Sequence, residues 1–413
     1  MADRSLNNGG HYDAGTRPGD QSGVEPTSEG DTSDGLAEPS QDFTHVFSKI
    51  NPDQSIDLTT VRSWVDAALM DDPLQARGLR ILAQLADIAN SEPEAWKYMH
   101  GAVQLSLHDI VANYWLMQKS AEAKDYKSTI YYADILLRTE PRFITFVMPV
   151  ISRITQEKQS IDLLKSQLIN NPPWRRAFFD ALPNYVTDAR IPLDLLLALR
   201  KSAVPPSSSD IQPYLQFLIA HKFYDLAYYT WLQFLPPEQL RVAGLLFNGN
   251  FEFRPSGLPF DWVTSSGSGA AVEIVSTPDQ TVGHALKVDF EYGRVDYHSV
   301  TELVMLAPGK YEFRAKYQGQ LLGPRGLKWR AVCADNATVP IGESTMMTGI
   351  ASQWKDVDFT FSVPSTGCRA QYVRLDLDAR SASEELVSGT MLFRRVQIVR
   401  VAGVSSESVS RTP

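Results

Sequence analysis

Near Gly244 the hydrophobic period of this 413-residue chain changes from 3.6 residues to 2, and that change restricts the fold more than any other feature. From about Asp57 to Arg241, small and apolar residues recur at helical spacing. Beyond it, Tyr311, Phe313, Ala315 and Tyr317 alternate with Lys310, Glu312, Arg314 and Lys316. Val357, Phe359, Phe361 and Val363 alternate with Asp356, Asp358, Thr360 and Ser362, and Val373, Leu375 and Leu377 with Arg374, Asp376 and Asp378. Such alternation gives each strand one buried and one wet face. Turns such as Pro308-Gly309 and Ser365-Thr366-Gly367 separate the strands, so the expected architecture is helices over 43–244 and an antiparallel sandwich over 245–402.

The helical part repeats itself. Pro73 and Pro141 lie 68 residues apart, twice 34, with Leu107 at the midpoint. Counting back 12, 8 and 5 residues from each gives Val61, Val65 and Ala68; Ala95, Met99 and Ala102; and Thr129, Ala133 and Leu136. These are small or apolar residues at spacings that let helices pack closely. Leu79, Leu82, Ala83 and Ala86 form one more face of this kind. The segments beginning at Lys124 and Lys222 align without gaps, pairing Tyr126 with Tyr224 and Tyr131 with Tyr229. Prolines 149, 172, 173, 183, 192, 205 and 206 fall between them and predict short helices. At these positions the chain resembles the tetratricopeptide family over roughly residues 57–241; a generic α-α repeat array is the alternative. The resemblance implies a protein partner along the array.

The sandwich opens with Phe247-Asn248-Gly249-Asn250-Phe251-Glu252, followed by Gly257, Trp262, Gly283-His284-Ala285-Leu286-Lys287-Val288, Leu306-Ala307-Pro308-Gly309-Lys310-Tyr311, Trp354 and a final Leu392-Phe393-Arg394-Arg395-Val396-Gln397-Ile398. In this order the features resemble the galactose-binding-like jelly rolls, in particular carbohydrate-binding modules of families four, nine and twenty-two. The resemblance implies a jelly-roll fold and polysaccharide as a ligand. It would also imply a structural calcium, but the two terminal aspartates of the pattern are Arg394 and Arg395 here, and a guanidinium offers calcium no oxygen. No metal or other cofactor is therefore expected, and a Glu252–Arg394 ion pair could take the metal's place. Candidate sugar contacts are Tyr292, Tyr297, His298, Tyr317, Gln318, Trp329 and Arg330. Trp262, Trp329 and Trp354 also suit a core, since they sit in or beside alternating strands.

Charge is uneven. Residues 1–42 hold nine acids against Arg4 and Arg17, which is −7 of the net −9, so the remainder is close to neutral. That balance argues against a nucleic-acid partner, which needs a basic face. The acid-rich, aromatic-poor composition of 1–42 predicts a disordered tail, and 403–413 reads likewise. The chain has no apolar run long enough for a membrane span and no signal peptide at its start, which predicts a cytoplasmic protein if the start is genuine, and a periplasmic or envelope protein if it is truncated. Cys333 and Cys368 either remain buried thiols or form a disulfide around 34 intervening residues, the second implying an oxidising compartment.

No nucleophile, metal or nucleotide motif occurs in the sequence. Asp376 and Asp378 share a strand face that reads as wet, so the chain is expected to be non-enzymatic. Trp174-Arg175-Arg176 after Asn171-Pro172-Pro173, the Phe247–Glu252 opening, and Gly367-Cys368-Arg369-Ala370-Gln371 together resemble bacterial tetratricopeptide proteins associated with exopolysaccharide production. That resemblance implies a scaffold between a partner protein and a polysaccharide or its assembly machinery. The alternative is a protein–protein adaptor with a purely structural sandwich.

Overall fold

A computed structural model describes residues 57–277 and 283–401; the tail and C-terminal segment discussed above, with residues 43–56 and 402, lie outside them. Among the described residues, twelve α-helices are followed by nine strands, and no helix is long and apolar enough to cross a membrane. The helices are α1 (Leu58–Asp71), α2 (Ala76–Ile88), α3 (Glu92–Leu105), α4 (Ile110–Glu122), α5 (Tyr126–Thr139), α6 (Ile144–Arg153), α7 (Lys158–Ile169), α8 (Arg175–Ala181), α9 (Arg190–Leu199), α10 (Ser208–Ala220), α11 (Tyr224–Phe234) and α12 (Pro237–Leu240).

Local chemistry sets where several of these helices begin and turn. Asp57, Asp109 and Asp125 each accept a first-turn backbone N–H, at 3.0, 3.0 and 3.2 Å, so the helix does not start with that donor unpaired. Asn90, Lys124 and Lys222 adopt left-handed backbones (φ 53, 58 and 62°) between α2 and α3, α4 and α5, and α10 and α11. After each, the next N–H reaches five residues back: Ser91 to Ala86, Asp125 to Ser120 and Phe223 to Leu218, all at 2.8 Å. This is the Schellman turn, which satisfies the carbonyls a helix leaves open at its end. The two segments that align in sequence therefore start from the same turn, with Tyr126 and Tyr224 buried and Tyr131 and Tyr229 exposed.

The repeat positions of the middle units are buried: Ala95, Met99, Ala102, Thr129, Ala133 and Leu136 are at most 1% exposed. The first unit departs from this, since Ala68 is exposed. The prolines shorten fewer helices than expected. Pro172, Pro173, Pro205 and Pro206 lie in connections, but Pro149, Pro192 and the unremarked Pro213 lie inside α6, α9 and α10. From α5 to α10, packing reaches the next-but-one helix as well as the neighbouring ones. Trp174-Arg175 serves this packing. The Trp174 indole donates to Asp134 Oδ1 at 2.8 Å, and the buried Arg175 reaches Asp210 Oδ2 at 3.1 Å, joining α8 to α10.

The sandwich has two antiparallel sheets, β1-β2-β9-β4-β7 and β3-β8-β5-β6. The strands are β1 (Ala270–Ser276), β2 (His284–Phe290), β3 (Val300–Val304), β4 (Gly309–Leu322), β5 (Leu327–Cys333), β6 (Asn336–Glu343), β7 (Gly349–Val363), β8 (Gln371–Leu377) and β9 (Ser388–Arg400). The alternating apolar residues named from the sequence point into one core. Trp329 lies at its centre, 5.1 Å from Phe313, 5.8 Å from Trp262 and 5.7 Å from Phe393 between ring centroids.

The Asn-Gly-Asn-Phe opening has a structural explanation. The Asn248 side chain accepts from Phe253 N–H (3.1 Å) and donates to its carbonyl (2.7 Å), closing a tight loop, while the Trp262 indole donates to Asn248 O. Gly249 accepts from Val396 of β9, and a Cβ there would stand 1.8 Å from Val396 O, so only glycine permits the approach.

The helical array and the sandwich share a buried seam. Trp231 of α11 is 2% exposed and packs on Phe247 (5.2 Å) and Phe260 (5.7 Å), and Tyr228 meets Phe260 edge-on. Beside this seam Lys222 reaches Asp335 at 3.0 Å, Tyr224 donates to the same carboxylate at 3.3 Å, and Arg369 pairs with Asp225 at 2.6 Å.

Glu302 of β3 is also buried at this seam. Its Oε1 accepts from Phe247 N–H at 2.7 Å, while Oε2 has no hydrogen-bond partner. Desolvation, aided by nearby Asp261, raises its pKa well above the ordinary 4.5. Between 4.5 and that raised value, the folded protein holds a proton that the unfolded chain has released. The associated stability is complete below pH 4.5 and is lost as pH rises through the folded value. Glu302→Gln keeps the shape and cannot ionise. The thermal midpoint of the native protein should therefore fall relative to that of the variant as pH is raised from 4.5. A difference that stays constant across that range would show Glu302 to be ionised throughout.

Candidate functional site: a charged groove on the four-stranded sheet

On β5, Leu327, Trp329 and Ala331 point into the core, so Lys328 and Arg330 point outward; on β8, Val373 and Leu375 do the same for Arg374 and Asp376. Pairing of β5 with β8 sets Arg330 opposite Arg374 and Lys328 opposite Asp376, and β6 sets Glu343 opposite Arg330. Two guanidinium groups placed opposite each other repel. Here Asp376 separates them, its Oδ2 accepting from Arg330 Nη1 at 3.2 Å and from Arg374 Nη2 at 3.1 Å.

The remaining charges interlock around this pair. Arg330 Nε donates to Glu343 Oε2 at 2.9 Å and its Nη2 to Asp378 Oδ1. Lys328 reaches Glu343 at 2.9 Å and Asp378 at 3.6 Å, and Arg325 bridges Asp378 at 3.8 Å and Glu384 at 2.9 Å. Hydrogen bonds from Lys328 and Arg330 hold the Glu343 carboxyl below the usual carboxylate range. Asp376 is 6% exposed, because the guanidinium groups cover the strand face that the sequence marked as wet. Above the lattice lies an open groove of about 690 Å³, lined by Lys328, Arg330, Glu343, Arg374, Asp378 and Arg380 together with Ala379 and residues of β6 that include Pro340 and Ile341.

Of the seven residues singled out from the sequence, Arg330 alone lines this groove. Trp329 is a correction: it is 0% exposed and cannot offer its ring to a sugar without opening the core. Tyr297 is partly buried: its ring packs edge-on against Phe290, its hydroxyl donates to Leu375 O at 3.0 Å, and desolvation pushes its pKa far up. Tyr317 is partly buried against the core, and Gln318 donates to Ser352 O at 2.8 Å. Tyr292 is 98% exposed, and His298 is exposed beside Ser265 (3.1 Å) and Asp296 (3.5 Å). The structure thus divides the set among a surface loop, β4, the core and the groove.

Arg394, expected to pair with Glu252, lies with its guanidinium over the Trp354 ring, 3.9 Å from the centroid, while Glu252 is exposed. One carboxylate and two guanidinium groups do not make an oxygen cage for calcium. Among the described residues, no group of three or more His, Cys, Asp or Glu side chains could hold a metal ion. Cys333 and Cys368 are joined by a disulfide, with Cα atoms 5.0 Å apart. The groove residues absent from the expected set are Lys328, Glu343, Arg374, Asp378 and Arg380. The parity of Lys328, Arg374 and Asp378 was legible strand by strand, but the adjacency of β5, β6 and β8 that brings the five together was not.

No known family model matches the chain, and no curated protein matches it. Solved structures do. A family 4 carbohydrate-binding module is 13% identical and covers 38% of this chain and 99% of its own (TM-score 0.28). A family 61 module in complex with β-1,4-galactotriose is 17% identical over 38% of this chain and 99% of its own (TM-score 0.26). The xylan-binding family 22 domain from Paenibacillus barcinonensis Xyn10C is 13% identical over 34% and 86% (TM-score 0.25). These are likenesses of fold.

Proposed function

We propose that the protein is a non-catalytic scaffold whose sandwich binds a polysaccharide in the groove on the four-stranded sheet and whose helical array, working as tetratricopeptide arrays do, binds a partner protein. The partner would belong to the machinery that assembles or exports that polysaccharide. The observation that carries this reading is the groove itself: an open cleft whose polar groups are fixed in place by ion pairs on three neighbouring strands. Preorganised donors and acceptors bind hydroxylated ligands without first losing side-chain freedom. The same lattice argues against hydrolysis, because Asp376 and Asp378 are both engaged by Arg330 and neither is left as a free acid or base.

One observation favours the adaptor reading, in which the sandwich binds no sugar: none of the residues lining the groove is aromatic. A glycan array probed with the full chain separates the two. Saturable retention on at least one polysaccharide is expected; retention on none would leave the adaptor.

A further inference from the structure

Resting on the groove as the polysaccharide site, we infer that its ligand is an acidic polysaccharide, whose sugar carboxylates are taken by Arg374 and Arg380. The cations do not find equal numbers of acids. Lys328, Arg330, Arg374 and Arg380 line the groove with two carboxylates, Glu343 and Asp378, and Asp376 beneath them makes three. Lys328 and Arg330 take up most of that negative charge. Arg374, 27% exposed at its side chain, has to share Asp376 with Arg330. Arg380 is exposed, and its side chain forms no ion pair among the described residues, although its backbone N–H donates to Glu384 at 2.8 Å.

Spare capacity in the groove is therefore cationic and donor-rich. A neutral sugar ring offers hydroxyls, which bind best where acceptors and an aromatic face are both free. Here the acceptors are occupied and the aromatic face is absent. A carboxylate brings charged acceptors in the planar geometry that a guanidinium fork matches. Outside residues 1–42 the chain is close to neutral, so no general positive field draws polyanions and retention would have to come from this site.

The test is titration calorimetry of the full chain with polygalacturonate, its fully methyl-esterified form, a neutral galactan, a sulfated galactan and polyglutamate. Polygalacturonate should bind, weakening as salt is raised, and the Arg374→Gln/Arg380→Gln double variant should lose at least tenfold in affinity; Arg380→Gln alone, at an exposed side chain, should weaken binding with an unchanged thermal midpoint. Equal binding of the esterified or neutral glycans, with no loss in the double variant, would overturn the acidic specificity while leaving polysaccharide binding intact. Preference for the sulfated galactan would overturn the assignment to carboxylates, and equal binding of polyglutamate would reduce the effect to charge alone. Binding of none of the five, combined with retention of no glycan on the array, would remove the reading on which the inference rests.

Discussion

Replacing Trp231 with alanine should lower the unfolding free energy by about 3–5 kcal/mol, the range for truncating a large buried aromatic. Trp231 is 2% exposed and sits at 5.2 Å from Phe247 and 5.7 Å from Phe260, so its removal opens a cavity where α11 meets the sandwich. The remaining ties across this seam include Arg369–Asp225, whose side chains are 62% and 59% exposed, and exposed pairs contribute about 0–1 kcal/mol. The native protein should unfold in one transition, and without the aromatic contact unfolding should separate into two, one for the array and one for the sandwich. Urea denaturation followed by far-ultraviolet circular dichroism, which reads helix and strand together, would show this. A loss below 1 kcal/mol with one transition retained would mean that Trp231 is not what couples the two parts.

Removal of the disulfide should have an effect of similar size. Cys333 and Cys368 are separated by 35 positions, and loop-entropy scaling assigns such a bridge roughly 3–4 kcal/mol. Its position adds a second consequence. Asp335, which receives Lys222 and Tyr224, follows Cys333 by two residues, and Arg369, which pairs with Asp225, follows Cys368 directly. One bridge therefore fixes both loops that grip the start of α11. The Cys333→Ser/Cys368→Ser variant should unfold at a lower midpoint and show faster amide exchange in residues 222–231. Thiol titration of the purified protein under denaturing, non-reducing conditions should find no free cysteine. Two reactive thiols, together with an unchanged midpoint for the variant, would contradict the account.

How much of this could be read beforehand depended on whether a signal was local. The switch of period at Gly244, the inward faces of β4, β5, β7 and β8, and the alignment of the Lys124 and Lys222 segments are local patterns, and each corresponds to a structural feature. The Schellman turns at Lys124 and Lys222 were hidden because glycine usually marks the left-handed position, and lysine there gives no signal. The site was less legible. Trp329 looked like a sugar contact because aromatic residues are common in both cores and binding faces, and burial is decided by neighbours in space. Arg374 and Glu343 gain their meaning from β8 and β6 flanking β5, a sheet order set by connections over tens of residues. Arg394 shows the same limit: the loss of the calcium aspartates was visible, while its stacking on Trp354 depends on strands β7 and β9 reaching one another around β4.

The groove on the four-stranded sheet is the centre of the functional reading, and hydrogen-exchange mass spectrometry of the full chain, with and without a saturating glycan retained on the array, tests it most directly. The account predicts slower exchange confined to residues 328–343 and 374–380, with little change at the cleft of about 680 Å³ between α11 and the loops carrying Met305–Pro308 and Pro364–Arg369. Protection at that cleft or along the helical array, with residues 328–343 unaffected, would contradict it.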